Sequence, residues 1–263
     1  MLRKCVKLLS LLLVVLLAST SCSVNHTQAY NKAVETFADG EYADAAEAFE
    51  KLGDYSNAPT YAAYSRGLVL FDQGQYIAAE PYFEQVQDFM YGETRYQYCH
   101  GCVLESEGKY AEAAATFEAM GDYEDANILY HYNNARYAEE NNDYETALYD
   151  YSLAGDYSDA AIRLDTLRTD VYDQAVLLMA QGSYEQALNL FTMLGNYYDS
   201  TEQARICKQH FRDARYAEAE ALYSNGDLRG AYDIFISLTG FSDATTRAEE
   251  IGQMLGIDLP VVD

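Results

Sequence analysis

The chain repeats itself, and no other feature limits its fold as strongly. "DGEYADAAEAFEKLGDYSNA" (39–58) aligns without gaps with "EGKYAEAAATFEAMGDYEDA" (107–126), "NNDYETALYDYSLAGDYSDA" (141–160) and "QGSYEQALNLFTMLGNYYDS" (181–200). Two looser copies occupy 73–92 and 225–244. With Gly40, Gly74, Gly108, Asn142, Gly182 and Gly226 as anchors, the spacings are 34, 34, 34, 40 and 44. Self-similarity at this period is the signature of stacked supersecondary units.

Four positions hold their character in all six copies. Five residues after the anchor stands alanine: Ala45, Ala79, Ala113, Ala147, Ala187, Ala231. Nine after stands an aromatic: Phe49, Phe83, Phe117, Tyr151, Phe191, Phe235. Seven before stands a small residue: Ala33, Gly67, Gly101, Ala135, Ala175, Ala219. Ten before stands tyrosine: Tyr30, Tyr64, Tyr98, Tyr132, Tyr172, Tyr216. Positions four apart share a helix face, so alanine and aromatic face the same way on a second helix. The small residue is the matching gap on the first helix. The anchor suits a left-handed residue closing that first helix. The "GDYxDA" that follows places Asp or Asn to cap the next helix, with an aromatic before it laid out as a hydrophobic staple.

A 34-residue helix–turn–helix with these small, Ala and Phe positions resembles the tetratricopeptide repeat (TPR). The resemblance covers Tyr30 to Ala244, with a further helix at Asp243–Leu255 as a C-terminal cap. It departs where the family has a proline near the end of the second helix, replaced here by "DYxD", and in lacking a tryptophan opening the first. It implies an all-α, right-handed α-solenoid of about six units over residues 30–255, followed by a tail at 256–263. The fifth and sixth units carry roughly six and ten extra residues, which predicts longer helices there.

The amino end reads as export machinery. Arg3, Lys4 and Lys7 precede the apolar run Leu8–Ala18, which is too short to span about 30 Å of hydrocarbon. "STSC" then ends at Cys22. A cysteine after small residues resembles the lipobox of bacterial lipoproteins, although Ser19 stands where that family prefers leucine. The resemblance implies removal of 1–21, lipidation of Cys22, a short spacer over 22–29, and a place on the extracytoplasmic face of a bacterial membrane. Without the three leading cations, 14 basic side chains face 42 acidic ones, a net charge of −28. Such a surface repels nucleic acid and anionic headgroups and suits a protein or peptide partner with basic patches.

Motifs that would carry chemistry are weak. "YCHGC" (98–102) has C-x-x-C spacing, but it lies within a helix with no preceding strand, and haem attachment needs the histidine outside the pair. Tyr98 and Gly101 are column residues, and Cys99 falls where Ser65 and Cys207 stand in other units, so the stretch reads as packing. No second pair supplies a zinc site. Acidic runs lack calcium-loop spacing, and no P-loop, G-x-S-x-G, H-E-x-x-H or dinucleotide motif occurs. No enzymatic activity, metal or cofactor is expected.

The tyrosine column admits two readings. Its six rings either wedge between units or line a groove that stacks on a peptide or sugar. Residues that differ between units along the inner face, namely Glu105, Arg136, Glu139, Met179, Glu220 and Tyr223, are the expected carriers of specificity. The sequence therefore points to a lipid-anchored, non-enzymatic protein- or peptide-binding scaffold. The alternative is a glycan- or solute-binding lipoprotein that uses the tyrosines as stacking platforms.

Overall fold

A computed structural model describes residues 25–257; Cys22, the 1–21 segment and residues 258–263 lie outside the described residues. Thirteen helices and no strand occur among the described residues. The described residues fall into two compact units that divide after Ala160.

In the first unit α1 (25–38), α2 (Tyr42–Glu50), α3 (Ala58–Asp72), α4 (Tyr76–Glu84), α5 (Gly92–Ser106), α6 (Tyr110–Met120), α7 (Ala126–Glu140) and α8 (Tyr144–Ala154) follow one another. From α2 onward each packs on the next, and Ala33 of α1 joins Ala45, Phe49 and Ala62 in the first core cluster. Helix α1 is already helical at residue 25, so it reaches back into the stretch expected as a spacer. Thr27 shares a 2.7 Å hydrogen bond with Tyr55, which ties this extension to the first loop. The second unit holds α9 (Ala160–Ala180), α10 (Tyr184–Leu194), α11 (Ser200–Ser224), α12 (Leu228–Ser237) and α13 (Ala244–Leu255). Its cores join α9, α10 and α11 through Ala175, Phe191 and Cys207, and α11, α12 and α13 through Ala219, Phe235 and Ile251.

The repeat columns have the geometry their chemistry requires. All six anchors have positive φ, from 58° at Asn142 to 86° at Gly40. The six alanines five residues on are fully buried, as are the six aromatics nine on. The small residue faces that aromatic: a Cβ added to Gly101 would lie 2.6 Å from Phe117, and one on Gly67 2.8 Å from Phe83. Helices α3, α5 and α7 have 15 residues each, whereas α9 has 21 and α11 has 25. The added residues precede the column tyrosine, lengthening these helices by about 9 and 15 Å at their amino ends.

One expectation fails. Asn57, Asp125, Asp199 and Asp243 stand at the N-cap, yet none caps its helix through its side chain. Their ψ of 17° to 20° is not the extended backbone a capping side chain uses. The residue before each (Ser56, Glu124, Tyr198, Ser242) is left-handed, φ 46° to 54°, which sets that geometry. Side-chain caps occur instead on second helices, where Asp143 accepts from the amide of Thr146 and Asp227 from that of Gly230.

Candidate functional site

The loop aspartates are engaged elsewhere. The hydroxyl of Tyr98 donates to Asp125, Tyr132 to Asp159, Tyr172 to Asp199 and Tyr216 to Asp243, each 27 residues along the chain. In the second copy Tyr91 replaces the aspartate, and the Tyr64 hydroxyl accepts from Arg95 at 2.9 Å instead. The bond to Asp243 and burial push the Tyr216 hydroxyl up to about 12, and Tyr216 in turn holds the Asp243 carboxyl below its usual value. Each column ring also meets two other aromatics edge-on. One is its own second-helix aromatic, as in Tyr98–Phe117 at 5.9 Å. The other is the aromatic of the following loop, as in Tyr98–Tyr123 at 5.8 Å. The same pair of contacts recurs at Tyr30, Tyr64, Tyr132, Tyr172 and Tyr216. Tyr64, Tyr98 and Tyr132 are only 2%, 1% and 4% exposed, while Tyr30, Tyr172 and Tyr216 are half-buried.

YCHGC divides along the same lines. Cys99 is fully buried, and counting from each loop it shares its position with Ser65, Asn133, Leu167, Cys207 and Ile251, all buried. His100 turns away to Glu80 at 2.7 Å and stacks on Tyr96. Burial pushes the Cys99 thiol up to about 12, and that of Cys102 up as well, which removes thiolate chemistry near neutral pH. No group of three metal-ligating side chains occurs among the described residues.

The inner-face residues separate into distinct settings. In the second unit Glu220 is paired with Arg247 through bonds of 2.8 and 2.9 Å, and the guanidinium lies 4.4 Å from the ring of Tyr223. These three side chains hold α13 to α11. Met179 packs half-buried against the Ala175–Phe191 core, and Glu139 accepts a hydrogen bond from the hydroxyl of buried Tyr151. In the first unit Glu105 and Arg136 line a single cleft of about 290 Å³. Tyr76 and Ile77 at the start of α4, Cys102 of α5, Tyr110 at the start of α6, Tyr132 and Tyr157 line it with them.

The charges in this cleft are met unequally. Arg136 lies 4.1 Å over the Tyr110 ring and donates to the Tyr132 hydroxyl at 3.2 Å, and that hydroxyl donates to Asp159. Glu105 receives Asn133 at 2.7 Å and Tyr157 at 3.1 Å, both neutral. Burial raises its carboxyl above the usual carboxylate value, and these bonds and the Arg136 charge oppose the rise only in part. Sequence reasoning missed the tyrosine walls. Their signal was present: Tyr42, Tyr76, Tyr110, Tyr144 and Tyr184 stand two residues after five of the six anchors.

Comparison with protein-family models and with curated proteins gives no match for this chain. No described helix is long and apolar enough to cross a membrane.

Proposed function

We propose that this chain is a non-enzymatic scaffold that holds a protein or peptide partner bearing basic patches. In this reading it is a right-handed, TPR-like solenoid of about six units, attached through a lipid on Cys22 to the extracytoplasmic face of a bacterial membrane. Stacked helical pairs give extended surfaces for partners. The observation that carries the reading is the cleft at Glu105 and Arg136. Invariant columns are spent on packing, while these two variable positions converge on an accessible, polar cavity. The net charge adds a long-range preference for cationic partners and fast, salt-sensitive association.

A glycan-stacking lipoprotein needs exposed aromatic faces. The column does not offer them at Tyr64, Tyr98 and Tyr132, which favours the scaffold. Mild cross-linking in intact cells followed by co-purification is the test. The expected result is a partner rich in Lys or Arg patches that is released as salt rises from about 0.05 to about 0.5 M. A partner held equally at both salts, or none beside a soluble oligosaccharide, would contradict it.

A further inference from the structure

The geometry points to a lysine-recognition site in the first-unit cleft, where the carboxylate of Glu105 receives the ammonium group of one lysine side chain from a bound partner. This inference rests on the scaffold reading and names the chemistry the partner presents. A lysine places a compact charge on a flexible apolar stem. The cleft offers both complements. Ile77, 56% exposed, and the sulfur-bearing Cys102 lie beside aromatic walls that accept a methylene chain. Tyrosine faces also attract an ammonium ion directly.

The imbalance between the two charged residues selects the sign of the occupant. Arg136 is laid across Tyr110 and connected through Tyr132 to Asp159, so it is engaged by the rings and hydroxyls beside it. Among the described residues the hydrogen-bond donors to Glu105 are the neutral Asn133 and Tyr157, and Arg136 acts on it at longer range through its charge. A carboxylate taken half out of water with no cation in hydrogen-bond contact is under-compensated, and a cation from outside restores the balance. The second unit shows the finished arrangement inside the chain itself. There Arg247 occupies the space between the Glu220 carboxylate and the Tyr223 ring. In the first unit Arg136 covers the Tyr110 ring but does not bridge to the Glu105 carboxylate by a hydrogen bond as Arg247 does to Glu220, and a partner's cation can take that place.

Binding is read by NMR on the intact chain carrying ¹³C-labelled tyrosines, following Tyr76, Tyr110 and Tyr157. The probes are a capped glycine–serine peptide with one central lysine, the same peptide with norleucine, and the same with acetyl-lysine. The expected result is saturable shifts with the lysine peptide alone. Glu105→Gln weakens that binding about tenfold or more, since one partner of a partly desolvated charge pair is lost. Arg136→Gln tightens it by removing a competing cation. Glu112→Gln, exposed and outside the cleft, reports the effect of bulk charge and leaves binding within about twofold of the parent. Retained helical circular dichroism shows that each variant is folded. The inference is overturned if the lysine peptide does not bind, if norleucine binds equally, if Glu105→Gln binds as the parent does, or if Arg136→Gln weakens binding. The two readings fail separately. A cross-linked cellular partner insensitive to Glu105→Gln removes the lysine site and leaves the scaffold. Lysine-peptide binding with no cellular partner does the reverse.

Discussion

At the scale of residues, the same amino acid serves different ends according to what it meets. Tyr98 and Tyr76 touch at 5.0 Å, yet one is core and the other is cleft wall. The contrast between Glu220 and Glu105 is sharper. Both are inner-face carboxylates, but Glu220 has a guanidinium in bidentate contact and Glu105 has amide and phenol donors. The raised Glu105 carboxyl sets a sign for stability against pH. A raised acid favours the folded state below its unfolded pKa, and that advantage is lost as pH rises through the folded value. At pH 7 the Glu105 charge therefore costs stability. Glu105→Gln keeps an oxygen for Asn133 and is expected to raise Tm at pH 7, with the gain shrinking as the pH falls through about 4. Thermal unfolding across that range checks it; a lower Tm for the variant at pH 7 would show that the charge is structural.

At the scale of elements, the period and columns let the paired helices, their lengths and their buried faces be read from the chain. Ala113 and Phe117 face the small Gly101 because positions four apart must share a face. The loops were less legible. A local rule assigns Asp125 to its own helix end, while the structure assigns it to a hydroxyl 27 residues back. No local pattern announces a bond between residues so far apart in sequence. The left-handed residue before each loop aspartate was missed for a related reason: it is not glycine. Glu124, Ser158, Tyr198 and Ser242 all adopt φ of 46° to 50°. A side chain in this region costs about 1 kcal/mol or more relative to glycine. Ser158→Gly is therefore expected to stabilise the protein by about 0.5–1 kcal/mol in urea unfolding. A destabilised variant would mean that the serine side chain is itself required.

At the scale of the whole molecule, the sequence is divided between positions that repeat and positions that vary. The repeating ones close each helix pair through a small-residue gap and the aromatic that fills it, and in four copies they fasten a tyrosine to the aspartate of the following loop. The varying ones are left to differ, and in the first unit they gather around a cleft. The cleft itself was only half legible. Glu105 and Arg136 follow from helical register, but their unequal neutralisation depends on Asn133, Tyr157 and Asp159, which meet only once the units are stacked. The tyrosine–aspartate fastening between consecutive copies is the claim on which this division rests. A double-mutant cycle of Tyr98→Phe and Asp125→Asn, measured by chemical unfolding, tests it most directly. The structure predicts a coupling of about 1.5 kcal/mol or more, as for a hydrogen bond to a charged group. Tyr30→Phe, whose hydroxyl has no hydrogen-bond partner among the described residues, should cost almost nothing beside it. Additive effects of the Tyr98 and Asp125 changes would contradict the account.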